Sequence, residues 1–286
     1  MVTFTNWKLR TKLIATVVTV IVLLAGALTT YSIVTDMKNA QKEIAAFRVD
    51  ELAKRKQNLK SYVDIAYESI LSEYENSRNA NYLEERYGKR LRSIIDTTES
   101  IIRMEMRKAA SGQQSEVSAR NSAALAIKQI RYDSGTGYIW INDTTSPVPR
   151  MVMHPTVPTL DGQVLDDPSY NSVGEEKQNL FVAFNEVCAQ SGEGYVQYTW
   201  PKPTEDGLTE YQPKLSYVRL IEEWGWIIGT GIYIDDAVTD AKQSSMSTIK
   251  DMRYDDGVGY FWINDTTEPV PVMVMHPTVP DLDGQI

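Results

Sequence analysis

Apolar residues along this chain fall into three textures, and each predicts a different element. Residues 13–34 (LIATVVTVIVLLAGALTTYSIV) carry no charge at all. As a helix at about 1.5 Å per residue they span roughly 33 Å, enough for a hydrocarbon core of about 30 Å. Lys8, Arg10 and Lys12 precede the run and Asp36 follows it. That asymmetry predicts a membrane-spanning helix with residues 1–12 in the cytoplasm and the rest of the chain outside. Ala25-Gly26-Ala27 resembles a signal-cleavage site, but the apolar run continues past it, which favours an anchor.

The second texture is amphipathic. Residues 36–75 contain neither Pro nor Gly, and Ile44, Phe47, Leu52, Leu59, Val63, Ala66 and Ile70 recur at helical spacing among charges. This predicts one long helix continuous with the spanning segment. Its apolar stripe needs a partner, either its own domain or a twin helix in a homodimer. Residues 82–110 predict a second helix, broken near Gly88, and residues 114–131 a third. Together, residues 35–131 form a helical region.

Then the period shortens. Residues 138–142 (YIWIN) and 151–154 (MVMH) read as strands, separated by turn chemistry. A helix is expected over 173–190, closed by Ser191-Gly192. Strands follow at 194–200, 214–222 and 226–234, then a connecting helix at 236–250. This order predicts an α+β fold, an antiparallel sheet with flanking helices.

The chain also repeats itself. Residues 127–164 return as residues 249–286 with 29 of 38 positions identical. A period of domain size excludes a solenoid. Residues 132–235 are therefore expected to be one complete sheet module. Residues 251–286 are expected to open a second, truncated one that is loosely held, and the chain to be part of a longer protein.

Composition removes several functions. Acidic residues outnumber basic ones by 38 to 29, a poor surface for nucleic acid. The single Cys188 rules out an intrachain disulfide framework and reads as a small buried hydrophobe. The two His lie in different copies and no HExxH occurs, so no metal site is expected, and no cofactor. Asp161-Gly162 and Asp166-Asp167 lack calcium-loop spacing. Asn142-Asp143-Thr144 reads as turn chemistry. Glu222, Glu223, Asp235 and Asp236 read as a solvated rim or a helix cap.

Taken in order, GYIWI, MVMHP, GYVQYTW, KLSYV and EWGWIIGTGIYIDD resemble the bacterial Cache sensor domains of the second type. The likeness covers residues 40–240 and restarts at Asp251, as in a double Cache receptor. It implies a PAS-like sheet hung on a long N-terminal helix, outside the inner (plasma) membrane. It also implies a pocket on the sheet, commonly for small carboxylates, feeding a cytoplasmic methyl-accepting, histidine kinase or cyclase domain.

His154 sits at a strand end before Pro155, which biases it to extended backbone. Alone it reads equally as a core His satisfying a carbonyl; the resemblance favours ligand contact. Lys214 opens a strand and is either an exposed Lys or a point charge for a carboxylate. Tyr138, Trp140, Tyr198 and Tyr217 are the candidate aromatic walls, with core packing as the alternative. A ligand of about five heavy atoms gains at most about 7.5 kcal/mol, a dissociation constant of a few μM. That suits a sensor of a small carboxylate-type metabolite. A membrane-anchored dimerisation or scaffold module without a ligand is the alternative, and nothing beyond an available His and Lys suggests an enzyme.

Overall fold

The computed structural model describes residues 8–286; residues 1–7 of the expected cytoplasmic segment lie outside the described residues. The chain divides into two compact units, Met1–Tyr67 and Glu68–Ile286.

The first unit is helical. Helix α1 is assigned over Leu9–Asn76. It is long and apolar enough to cross a membrane. Its interior hydroxyls need no water: Thr16, Thr19, Thr30 and Thr35 donate to the carbonyls of Lys12, Ala15, Gly26 and Tyr31, each four residues back. That is how hydroxyls are tolerated in hydrocarbon.

The second unit is a two-faced sheet. Helices α2 (Ala80–Ala110) and α3 (Glu116–Lys128) come first. Asn79 caps α2 by accepting from Asn81 N and Tyr82 N. The break expected at Gly88 does not occur. Gly88 is there because the Tyr195 hydroxyl occupies the place of a side chain, so it serves packing rather than punctuation.

Strands β1 (Trp140–Asp143) and β2 (Met151–Met153) follow. The short strands β3 (Asn171–Val173) and β4 (Gln178–Asn179) pair with each other. They replace the first half of the helix expected over 173–190, because Gly174 and Lys177 take positive φ and turn the chain. Helix α4 is Leu180–Ser191, capped by Asn179. Strands β5 (Glu193–Thr204), β6 (Gly207–Ile221) and β7 (Trp226–Tyr233) then lead into α5 (Ile234–Asp251). Both strands run past their expected ends at 200 and 214: the β5–β6 ladder continues out to Thr204↔Gly207.

The sheet order is β2-β1-β7-β6-β5, and each neighbouring pair within it is antiparallel. Side chains alternate across it. One face carries Ile141, Tyr217 and Ile228 against Ile95 and Ile102 of α2 and Ala123 and Ile127 of α3. The opposite face carries Trp140, Val218 and Ile227 against Phe181 and Phe184 of α4, with Tyr138, Leu165, Tyr198 and Trp200. Arg219 ties β5 and β6 to α2 through Glu193, Asp96 and Glu99.

Residues 251–286 form two separate two-stranded ladders, β8 (Arg253–Tyr254) with β9 (Gly259–Tyr260) and β10 (Ile263–Asn264) with β11 (Met273–Met275). Neither joins the five-stranded sheet.

Gly229 of β7 lies directly across from Trp140, and a methyl on Gly229 would overlap the indole. Gly229→Ala is expected to lower stability by about 1–3 kcal/mol, the usual penalty for overpacking. The check is the urea midpoint of the full chain in detergent; an unchanged midpoint would mean that Trp140 repacks freely.

Candidate functional site

On the α4 face, strand parity brings one side chain of an unexpected kind into the core. Lys214 shares its face with Ser216 and Val218, and it is 1 % exposed. Its ammonium lies 4.1 Å from the centre of the Tyr138 ring, 4.6 Å from Tyr233 and 5.4 Å from Trp140. Among the described residues, no carboxylate comes within ion-pairing distance of it. The aromatic faces return about 2 kcal/mol for a desolvated cation. Removal of an ammonium from water costs several kcal/mol. Burial therefore prevails and holds the Lys214 amine well below its ordinary range.

His154 follows β2. Its backbone N–H donates to Asp161 Oδ1 at 2.7 Å. Its Nδ1 accepts from the backbone N–H of Val157 at 3.1 Å, with the Thr156 hydroxyl at 3.3 Å. A main-chain donor on Nδ1 places the ring proton on Nε2. The ring is 5.2 Å from Tyr138 and 5.3 Å from Trp200, centre to centre. Burial, then the charges of Lys214, Arg131 and Lys128, push its pKa well below the usual imidazole value.

The other candidates divide between the two faces. Tyr138, Trp140 and Tyr198 lie on this face and are buried. Tyr198 is the register partner of Lys214, and its hydroxyl meets Ser216 Oγ at 2.9 Å. Trp140 donates to Asn142 Oδ1 at 3.3 Å. Tyr217 does not join them. It is an odd number of residues from Lys214, so the pleat turns it to the helical face, where it packs with Tyr195 and takes a hydrogen bond from Arg219.

Two members escaped sequence reasoning. Trp200 is two residues past Tyr198, and that parity was available as a signal. Its Nε1 is buried with no acceptor among the described residues, a costly state for a donor. Tyr233 ends β7 opposite Lys214; only the β6–β7 register reveals it. Its hydroxyl donates to Pro201 O at 2.8 Å and lies 3.4 Å from the Tyr138 hydroxyl. The cluster thus offers a buried lysine amine with no carboxylate partner among the described residues, an indole N–H without an acceptor and an imidazole N–H. Chemically, it is arranged to receive an acceptor.

Elsewhere, Cys188 is buried and burial pushes its thiol up to about 12, consistent with a packing role. Asp143 is turn chemistry: its Oδ1 accepts from Thr145 N and Arg150 N. Asp235 and Asp236 sit in the first turn of α5, bound by Lys202 at 2.7 and 2.5 Å. In the second copy, His276 repeats the frame of His154. Val279 N donates to its Nδ1 at 3.0 Å, Asp283 takes its backbone N–H at 2.7 Å, and Tyr260 stands 5.3 Å from the ring.

Because His154 is kept neutral when folded, the unfolded chain binds more protons below about pH 6.5, and stability falls as pH drops through that range. From pH 6.5 to 5.5 the intact chain is expected to lose about 1 kcal/mol more than His154→Gln. Urea unfolding at the two pH values reads the difference; equal losses would mean that His154 titrates normally.

A family model described as Cache domain matches residues 36–286. The methyl-accepting chemotaxis protein McpP of Pseudomonas putida is 36% identical over 155 residues, which is 52% of this chain and 25% of that protein. The sensor histidine kinase MctS of Rhizobium johnstonii is 28% identical over 121 residues, 41% of this chain and 23% of that protein. The matched stretches thus span about a quarter of these curated relatives. A solved Cache chemosensory domain studied for carboxylic acid recognition is 33% identical, with a TM-score of 0.47, covering 55% of this chain and 100% of that one.

Proposed function

Since this chain belongs to the Cache domain family, we propose that it is the extracytoplasmic sensing region of a transmembrane receptor and that it binds a small carboxylate. In this reading residues 13–34 anchor it in the bacterial inner membrane, with residues 1–12 in the cytoplasm. Residues 132–235 are the sensing module, the helical region 35–131 supports it and offers a homodimer face, and residues 251–286 belong to a second Cache module. The methyl-accepting and kinase outputs are those of the relatives.

The observation that carries this reading is Lys214, a buried amine enclosed by aromatic rings with no carboxylate partner among the described residues. A carboxylate supplies the missing charge, and its two oxygens can also accept from Trp200 Nε1 and His154 Nε2. Tyr138, Trp140, Tyr198 and Tyr233 form the walls. One cation suits one carboxylate.

Signalling follows from where Tyr233 stands. It is the last residue of β7 and the residue immediately before α5, and its ring faces Lys214. Lys202, two residues from Trp200, holds Asp235 and Asp236 of the same helix turn. A ligand that draws Lys214 Nζ away from Tyr233 favours one setting of α5 over another, by as much as its affinities for the two settings differ.

Calorimetric titration of the full chain in detergent with acetate, propionate, succinate and alanine tests the reading. Micromolar binding confined to the short monocarboxylates is expected. Lys214→Met should weaken it at least tenfold, as the loss of a charge-assisted hydrogen bond does, and Tyr217→Phe should change it less than threefold. No binding across the panel would sink the carboxylate reading and leave a scaffold in its place.

A further inference from the structure

The surroundings of Lys214 decide more than the sign of its ligand. From β1 and the residue pair before it come Trp140 and Tyr138, and from the end of β7 comes Tyr233. From β5 come Tyr198, bonded to Ser216, and Trp200, whose N–H has no acceptor. After β2 comes His154, whose Nδ1 is committed to Val157 N–H. The acids on the neighbouring elements are engaged elsewhere. Asp235 and Asp236 hold Lys202, and Asp161 takes the His154 backbone N–H and the Lys128 ammonium. Arg131 and Lys128 act on His154, Lys202 lies 5.7 Å from the centre of the Tyr233 ring, and Asp166 and Asp167 act on Tyr170, whose ring packs against Trp200. The phenols of Tyr138, Tyr198 and Tyr233 are pushed upward by burial and stay neutral.

A carboxylic acid at neutral pH has already lost its proton to water. A carboxylate entering this buried cluster without a cation beside it would be an uncompensated buried charge, which is strongly unfavourable. An ammonium–carboxylate pair is favourable. Resting on the carboxylate reading above, we propose that the site takes up one proton from solvent with each carboxylate that it binds, and that Lys214 Nζ receives it. The balance is R–COO⁻ plus Lys–NH₂ plus H⁺ giving R–COO⁻ paired with Lys–NH₃⁺; one N–H bond forms and nothing is oxidised. Burial, which disfavours the charged form of the free amine, points the same way. Lys214 rather than His154 is the acceptor, because protonation of Nδ1 would break the Val157 hydrogen bond. The receptor then responds to the product of carboxylate and proton concentrations. It reports the undissociated acid, not the anion alone.

The test uses the full chain in detergent, with propionate as the probe, titrated in phosphate and in Tris, whose ionisation enthalpies differ. Heats that differ by about one proton per ligand are expected, with Kd rising about tenfold per pH unit between pH 7 and 9. His154→Gln should retain that proton count. Lys214→Arg, whose guanidinium is charged throughout, should bind without proton uptake. If it does not fold, the wild-type buffer comparison and His154→Gln still decide. Equal heats and a flat Kd with binding intact would overturn proton uptake and leave the carboxylate site standing. Loss of the proton in His154→Gln would overturn Lys214 as its acceptor. No propionate heat at any pH would overturn both readings.

Discussion

A lysine amine taken out of water carries charge only where partners compensate it, and inside this sheet the protein partners are aromatic rather than anionic. Tyr138, Tyr233 and Trp140 face the Lys214 amine, and Asp235 and Asp236 are used by Lys202. The surrounding sequence conforms to that demand. The pleat must give Lys214 the α4 face and Tyr217 the helical face. Gly229 must lack a side chain so that Trp140 can lie flat across β7. The segment after β2 must turn sharply enough for Val157 to fix the His154 ring.

The same demand links the cluster to the rest of the unit. Tyr233 belongs both to the aromatic wall and to the junction of β7 with α5. Lys202 fastens the first turn of α5 to β5, and the Tyr87 hydroxyl of α2 donates to Asp240 of α5 at 2.9 Å. The aromatic wall of Lys214 therefore ends where a helix starts, not in a loop.

Much of this was legible in the sequence because the signals were local. Apolar period gave the helices and strands; the Cache resemblance and the antiparallel α+β architecture are shown by the family match and the sheet order. His154 and Lys214 could be singled out by residue type, and the structure brings both to one cluster. What failed depended on register or on distant partners. Tyr217 was a natural choice beside Lys214 until parity is enforced. Tyr233 becomes visible only when β7 is laid against β6. Gly88 looks like a helix breaker unless Tyr195 is known to press on it. The helix expected from residue 173 starts at Leu180 because two positive-φ residues, Gly174 and Lys177, build a small hairpin first.

The cluster is assembled from two stretches of chain with different habits. The imidazole, its turn and its neighbouring tyrosine come from one continuous stretch, residues 138–161, and the second copy reproduces that frame around His276. The cation and the indole arrive on β5 and β6, well downstream. A genetic crossover between them would join one protein's imidazole turn to another's cationic strands without severing the internal contacts of either.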